Sequence, residues 1–136
     1  MEKIKTIAVN VAAAALICLV LIWGNTLYRQ HVQFDKGEKG LAAGDFLAAV
    51  AGYESAIHMY TPGSSLVERS AKRLWELGEM AERRGDVARA LIAYRSLRSS
   101  YYAVAGIYAP GKEWIKRCEV RIALLVKMQQ TDPTGR

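Results

Sequence analysis

The chain has 136 residues, enough for one domain, and without its apolar N-terminal stretch roughly a hundred remain to build one modest core. Its 51% hydrophobic content and three prolines exclude a disordered chain outside the last residues, 131–136, which read as a flexible tail. The net charge of +6 raises the question of nucleic acid, but twelve acids interleave with the basic residues after position 30; this is a solvated helical surface, and no nucleic-acid partner is expected.

From Thr6 to Tyr28 runs a stretch of 23 residues without a charge, and Ile7 to Trp23 is apolar except for Asn10. At about 1.5 Å per residue, some 20 such residues cross the roughly 30 Å hydrocarbon layer of a bilayer. Trp23 and Tyr28 fall where an aromatic belt meets the far interface, and Arg29 closes the run. A cleaved signal peptide is the competing reading. Its basic head is present in Lys3 and Lys5, but the apolar core is long and Ile22-Trp23-Gly24 is a poor cleavage site. Residues 1–29 are therefore read as a tail and an uncleaved transmembrane anchor, with the lipid bilayer as partner through residues 6–28.

Lys3 and Lys5 face Arg29, Lys36 and Lys39 across the span, so the count of positive charges does not orient it. A short basic tail before a long anchor ordinarily stays inside. The expectation is a single-pass protein of the inner (cytoplasmic) membrane with its C-terminal domain on the periplasmic side. Within the span, Asn10, Ala14, Cys18 and Asn25 lie at spacings of four, four and seven, on one stripe of a helix. Small and amide side chains there suit close contact with another transmembrane helix; plain filler alanines are the alternative. The two cysteines, Cys18 and Cys118, stand a hundred residues apart and make no disulfide framework.

Beyond the anchor, residues 30–130 contain an internal repeat. Gly44-Asp45 to Ser55 and Gly85-Asp86 to Ser96 both read G-D-x-x-x-A-x-x-x-Y-x-S, in a register of 41. Each Gly-Asp ends one helix and caps the next, after which a small Ala and a large Tyr four apart share one face. A second echo has a register of 48: Tyr60-Thr61-Pro62-Gly63 and Tyr108-Ala109-Pro110-Gly111, each followed by x-x-(Leu/Trp)-(Val/Ile)-x-Arg. It predicts a helix from about Ser64 to Arg84 and a matching last helix from Lys112 to Met128. The last helix carries Trp114, Cys118, Ile122 and Leu125 as an inward stripe, as a capping helix would.

With Leu74, Leu77, Gly78 and Ala81 upstream, the second copy reads L-x-x-L-G-x-x-A-x-x-x-G-D-x-x-x-A-x-x-x-Y. This resembles the tetratricopeptide repeat, well from Leu74 to Leu97 and partially from Phe34 to Thr61. The register of 41 departs from that family's 34, and the excess of almost two turns leaves the buried face of a helix unchanged. The resemblance implies an all-α fold: the anchor, then five helices in antiparallel hairpins, as two degenerate repeats and a capping helix.

Chemistry finds no foothold in these residues. His31 and His58 are the only histidines, no ligand cluster has metal spacing, and no phosphate loop or nucleophile–base pair is present. No catalytic residue, metal or cofactor is expected. The resemblance instead implies a contact surface on the first helix of each unit: His31, Phe34, Glu38 and Leu41 in one, Lys72, Trp75, Glu79 and Glu82 in the other. An aromatic anchor beside charges suits peptide docking, whereas packing of Trp75 on a neighbouring helix is an equal alternative. Tyr101, Tyr102, Ile107 and Tyr108 form a further aromatic concentration, part of which is expected to cover the last helix. The function implied is a membrane-anchored protein–protein interaction scaffold. A different class with the same layout is an accessory subunit of a membrane-embedded complex, similar to those of ion-driven envelope motors of the ExbB/TolQ kind, whose span makes the main contact.

Overall fold

No proline interrupts the first 61 residues, and the apolar run passes directly into an amphipathic stretch. The computed structural model, which describes residues 1–132, accordingly forms a single helix there: α1, Glu2–Ala42, 41 residues long. At 1.5 Å per residue it is a rod of about 60 Å. The boundary expected at 29/30 falls inside this one helix, so the apolar stretch and the first helix of the domain are continuous. Four more helices follow: α2 (Phe46–His58), α3 (Ser65–Arg83), α4 (Val87–Ala103) and α5 (Lys112–Thr131). Among the described residues the helical segments beyond the apolar stretch thus number five, the first being the second half of α1. Among the described residues there is no strand. Of the expected tail, Thr131 closes α5, and residues 133–136 lie outside the described residues.

The two Gly-Asp sites build the same turn. The amides of Gly44 and Asp45 donate to the carbonyls of Leu41 and Gly40, and those of Gly85 and Asp86 to Glu82 and Ala81. This closure needs a left-handed residue, and Gly44 and Gly85 supply it at φ of 72° and 73°. The next residue then caps the following helix: Asp45 accepts from the amide of Ala48 and Asp86 from that of Arg89, both at 3.0 Å. Such a cap contributes about 1 kcal/mol. One tripeptide turn therefore reverses the chain twice, making the antiparallel hairpins α1–α2 and α3–α4.

Glycine also decides how closely the helices pack. A Cβ on Gly37 would come within 2.7 Å of the Tyr53 ring, and one on Gly78 within 2.5 Å of the Tyr94 ring. In both hairpins a fully buried tyrosine thus fills the notch left by a glycine 41 positions from its counterpart. Ala49, Leu74, Leu77, Ala90, Leu97 and Ile122 join these rings in one core. Cys118, Ile122 and Leu125 of α5 are buried and Trp114 half-buried, as the inward stripe predicts.

The hairpins stack with like helices alongside. Arg69 and Arg73 of α3 reach Phe34 and Glu38 of α1, and Ser96 of α4 donates to Glu54 of α2 at 2.9 Å. Hence α1 and α3 run the same way, and α2 and α4 run back. From Gln30 onward α1 is packed against α2; almost all of its first 29 residues are exposed. This helix is long and apolar enough to cross a membrane.

Candidate functional site

The expected contact residues lie on the face made by α1, α3 and α5, and the structure distributes them differently from the sequence pairing. Phe34, expected as the docking aromatic of the first unit, is a core residue only 3% exposed. Its ring centroid lies 5.6 Å from that of Tyr53, and the Arg69 guanidinium covers it at 4.6 Å. The reason is the notch at Gly37: it draws Tyr53 inward, and Phe34 packs on that ring. Trp75 is half-buried, 4.8 Å from Tyr94 and 6.0 Å from Trp114, so it packs with one part and presents the rest. Its indole N–H donates to Glu79 at 2.9 Å. Lys72 is exposed beside them.

Glu38 and Glu82 are engaged within the chain. The Tyr53 hydroxyl donates to Glu38 at 2.7 Å, and Arg73 grips the same carboxylate with Nε at 2.8 Å and Nη2 at 3.1 Å. The Tyr94 hydroxyl donates to Glu82 at 2.6 Å, and Arg121 grips it through Nε at 2.7 Å and through Nη2. Each tyrosine–glutamate–arginine set joins three helices: α2, α1 and α3 in one, and α4, α3 and α5 in the other. Partial burial by itself would raise both carboxyls, but the hydrogen bonds from the tyrosine and the arginine outweigh it and hold them below the usual range. Burial first, and then the bonded carboxylate, push Tyr53 and Tyr94 far above the ordinary phenol value.

The second echo of the sequence carries the arginines. Arg69 and Arg117 end the two matched Pro-Gly segments, and both lie over aromatic rings, Phe34 and Trp114. One turn later in the same register stand Arg73 and Arg121, the grips on Glu38 and Glu82. The glutamates broke the pattern. Glu38 matches Glu79 at 41 positions, yet the carboxylate that takes Tyr94 is Glu82, three residues on.

Gln30 is a further residue that no motif marked. It is fully buried where the apolar stretch of α1 meets the packed helices. Its amide nitrogen donates to the carbonyls of Ala56 at 2.9 Å and Met59 at 3.2 Å, and its oxygen accepts from the hydroxyl of Ser64, the α3 cap. The end of α2 and the start of α3 are thereby tied to α1 just past its apolar stretch. Asn10, Ala14 and Cys18 are exposed on the apolar stretch of α1.

His31 lies 3.8 Å from Asp35 as an exposed pair along α1, and His58 lies 3.9 Å from the half-buried Glu54 along α2. An apolar recess between the two hairpin turns, lined by Leu41, Phe46, Leu77 and Met80, holds about 140 Å³. That is below the ~300–1,000 Å³ of ordinary ligand sites. Compared with protein-family models, curated proteins and solved structures, the chain finds no match.

Proposed function

We propose that this chain is an uncleaved single-pass membrane protein of the inner membrane, with a tetratricopeptide-like, non-catalytic domain that holds a protein partner beside the bilayer. The observation that carries this reading is the repeated lock. Gly37 with Tyr53 and Glu38, and Gly78 with Tyr94 and Glu82, stack two hairpins in one orientation and align α1, α3 and α5 along one face. The half-buried pair Trp75 and Trp114 is the apolar centre of that face, with Lys72, Glu79 and Arg117 around it, an arrangement suited to docking a charged, partly apolar segment. Phe34, Glu38 and Glu82 build the face and do not contact the partner directly.

The test is affinity capture from detergent-solubilised membranes, comparing the unaltered chain with Lys72→Glu/Glu79→Lys. Both side chains lie outside the core, so the double variant should keep the parent melting curve while losing specific proteins from the captured set. An unchanged set would sink the reading.

A second reading, an accessory subunit held through its span, is supported by the continuity of α1, which transmits any displacement of the span to the domain without a hinge. Asn10→Leu/Ala14→Leu/Cys18→Leu discriminates the two. Loss of the captured proteins on these changes alone assigns the contact to the span.

A further inference from the structure

Chain direction determines which end of the domain faces the bilayer. α1 leaves the span and runs outward, α2 returns, α3 runs outward, and α4 returns. Both connections between hairpins, 59–64 and 104–111, therefore lie at the end where the span enters. Gln30 confirms the first by holding Met59 and Ser64 at the foot of the span. For the second, the indole N–H of Trp114, three residues past that connection, donates at 3.1 Å to Glu68 in the first turn of α3, which belongs to that same end.

The two connections differ in length and in what they show to solvent. α2 and α4 begin at matched residues, Phe46 and Val87, but α2 has 13 residues and α4 has 17. Four more helical residues carry α4 about 6 Å further toward the membrane side. The first connection turns its Tyr60 partly inward and buries Thr61, leaving Pro62 and Gly63 exposed. The second holds its largest apolar groups out: Ile107 is completely exposed and Tyr108 is 69% exposed, while Pro110 and Tyr101 remain inside. No charged residue occurs from Ser99 to Gly111; Lys112 and Glu113 follow where α5 begins.

We propose that the segment from Val104 to Pro110 is a second membrane contact, laying Ile107 and Tyr108 into the lipid interface beside the α1 span. The inference rests on α1 being a transmembrane anchor. Its chemistry is that of an interfacial loop: an aliphatic tip enters the acyl boundary, and an amphipathic phenol stays at headgroup level. Because α1 is continuous and Gln30 ties the domain to it, the loop is presented at a set height and pays no separate cost of encounter. Span and loop together fix the tilt of the domain, and hence which way the face of α1, α3 and α5 points.

The test uses the full chain in phosphatidylcholine vesicles, with Cys18 replaced by alanine; Cys118 is fully buried and stays unlabelled. A nitroxide is placed singly at Ile107→Cys, at Leu16→Cys in the span, and at Ala88→Cys on the end of the domain away from the bilayer. Collision with oxygen reports lipid, and collision with a nickel chelate reports water. Leu16 should be deep in lipid, Ala88 in water, and Ile107 roughly 5–10 Å into the headgroup and acyl boundary. A label at Ala105→Cys should likewise report lipid and lose most of its oxygen contact when Ile107→Asp is added. If Ile107 matches Ala88 while Leu16 is in lipid, the loop proposal is overturned and the anchor stands. If Leu16 is also in water, the anchor reading fails and the loop proposal with it.

Discussion

The Tyr94 ring lies directly against the backbone of Gly78, so close that a Cβ on that glycine would stand 2.5 Å from two ring carbons. In an isolated helix Gly78→Ala would gain about 1 kcal/mol of propensity. Here the ring is walled in by Trp75 and bonded to Glu82, so it cannot retreat without breaking those contacts. Gly78→Ala should destabilise the domain by about 1–3 kcal/mol, as overpacked cores do. Tyr94→Ala should cost about 3–5 kcal/mol. Urea melts of the fragment 30–136 check both, and a more stable Gly78→Ala protein would contradict the notch.

That fragment should itself fold, because packing on α2 begins at Gln30 and the preceding residues meet almost nothing. Circular dichroism should give a helical spectrum and one cooperative melt. Absence of cooperativity would mean that the span is needed to hold the first hairpin.

The tyrosine–glutamate–arginine sets predict how stability depends on pH. Glu38 and Glu82 are depressed in the folded chain, so their contribution is present above the unfolded carboxyl value of 4.5 and is lost as pH falls through the folded one. Tyr53 and Tyr94 are raised, so theirs is present below the unfolded value of 10.0 and is lost as pH rises through the higher folded one. Denaturation midpoints should be highest across the neutral range and fall on both sides. Glu82→Gln should flatten the acid limb, and an unaltered limb would show that Glu82 is not the group responsible.

Gln30→Ala should cost about 1–3 kcal/mol, because it leaves the carbonyls of Ala56 and Met59 and the Ser64 hydroxyl without their buried partner. In the full chain the same change should loosen the domain from the span. Limited proteolysis near Arg29 should then be faster than in the parent, and equal rates would indicate that α1 alone keeps the junction rigid.

The anchor predicts an integral protein with its N-terminus intact. Detergent-phase partitioning with N-terminal sequencing checks this: the full-length chain should enter the detergent phase. An aqueous product starting after Trp23 would show that the apolar stretch is a leader.

The sequence alone was enough to reach the helical character, the apolar length of α1, both Gly-Asp turns and the inward stripe of α5. These depend on local chemistry: periodicity, left-handed glycine, and a carboxylate that caps the helix after it. Tertiary structure decided what each side chain meets. Phe34 and Trp75 share a register position, yet one is sealed beneath Arg69 and the other is half-open between Tyr94 and Trp114. Glu38 and Glu79 also share one, yet Tyr94 chose Glu82 a turn away, because Arg121 of α5 reaches that carboxylate. The destination of Gln30 likewise depended on where α2 ended and α3 began. A helical register states which residues lie on one side of a rod; only the packed neighbours, drawn from 12 to 39 positions away, settle which of them is covered and by what.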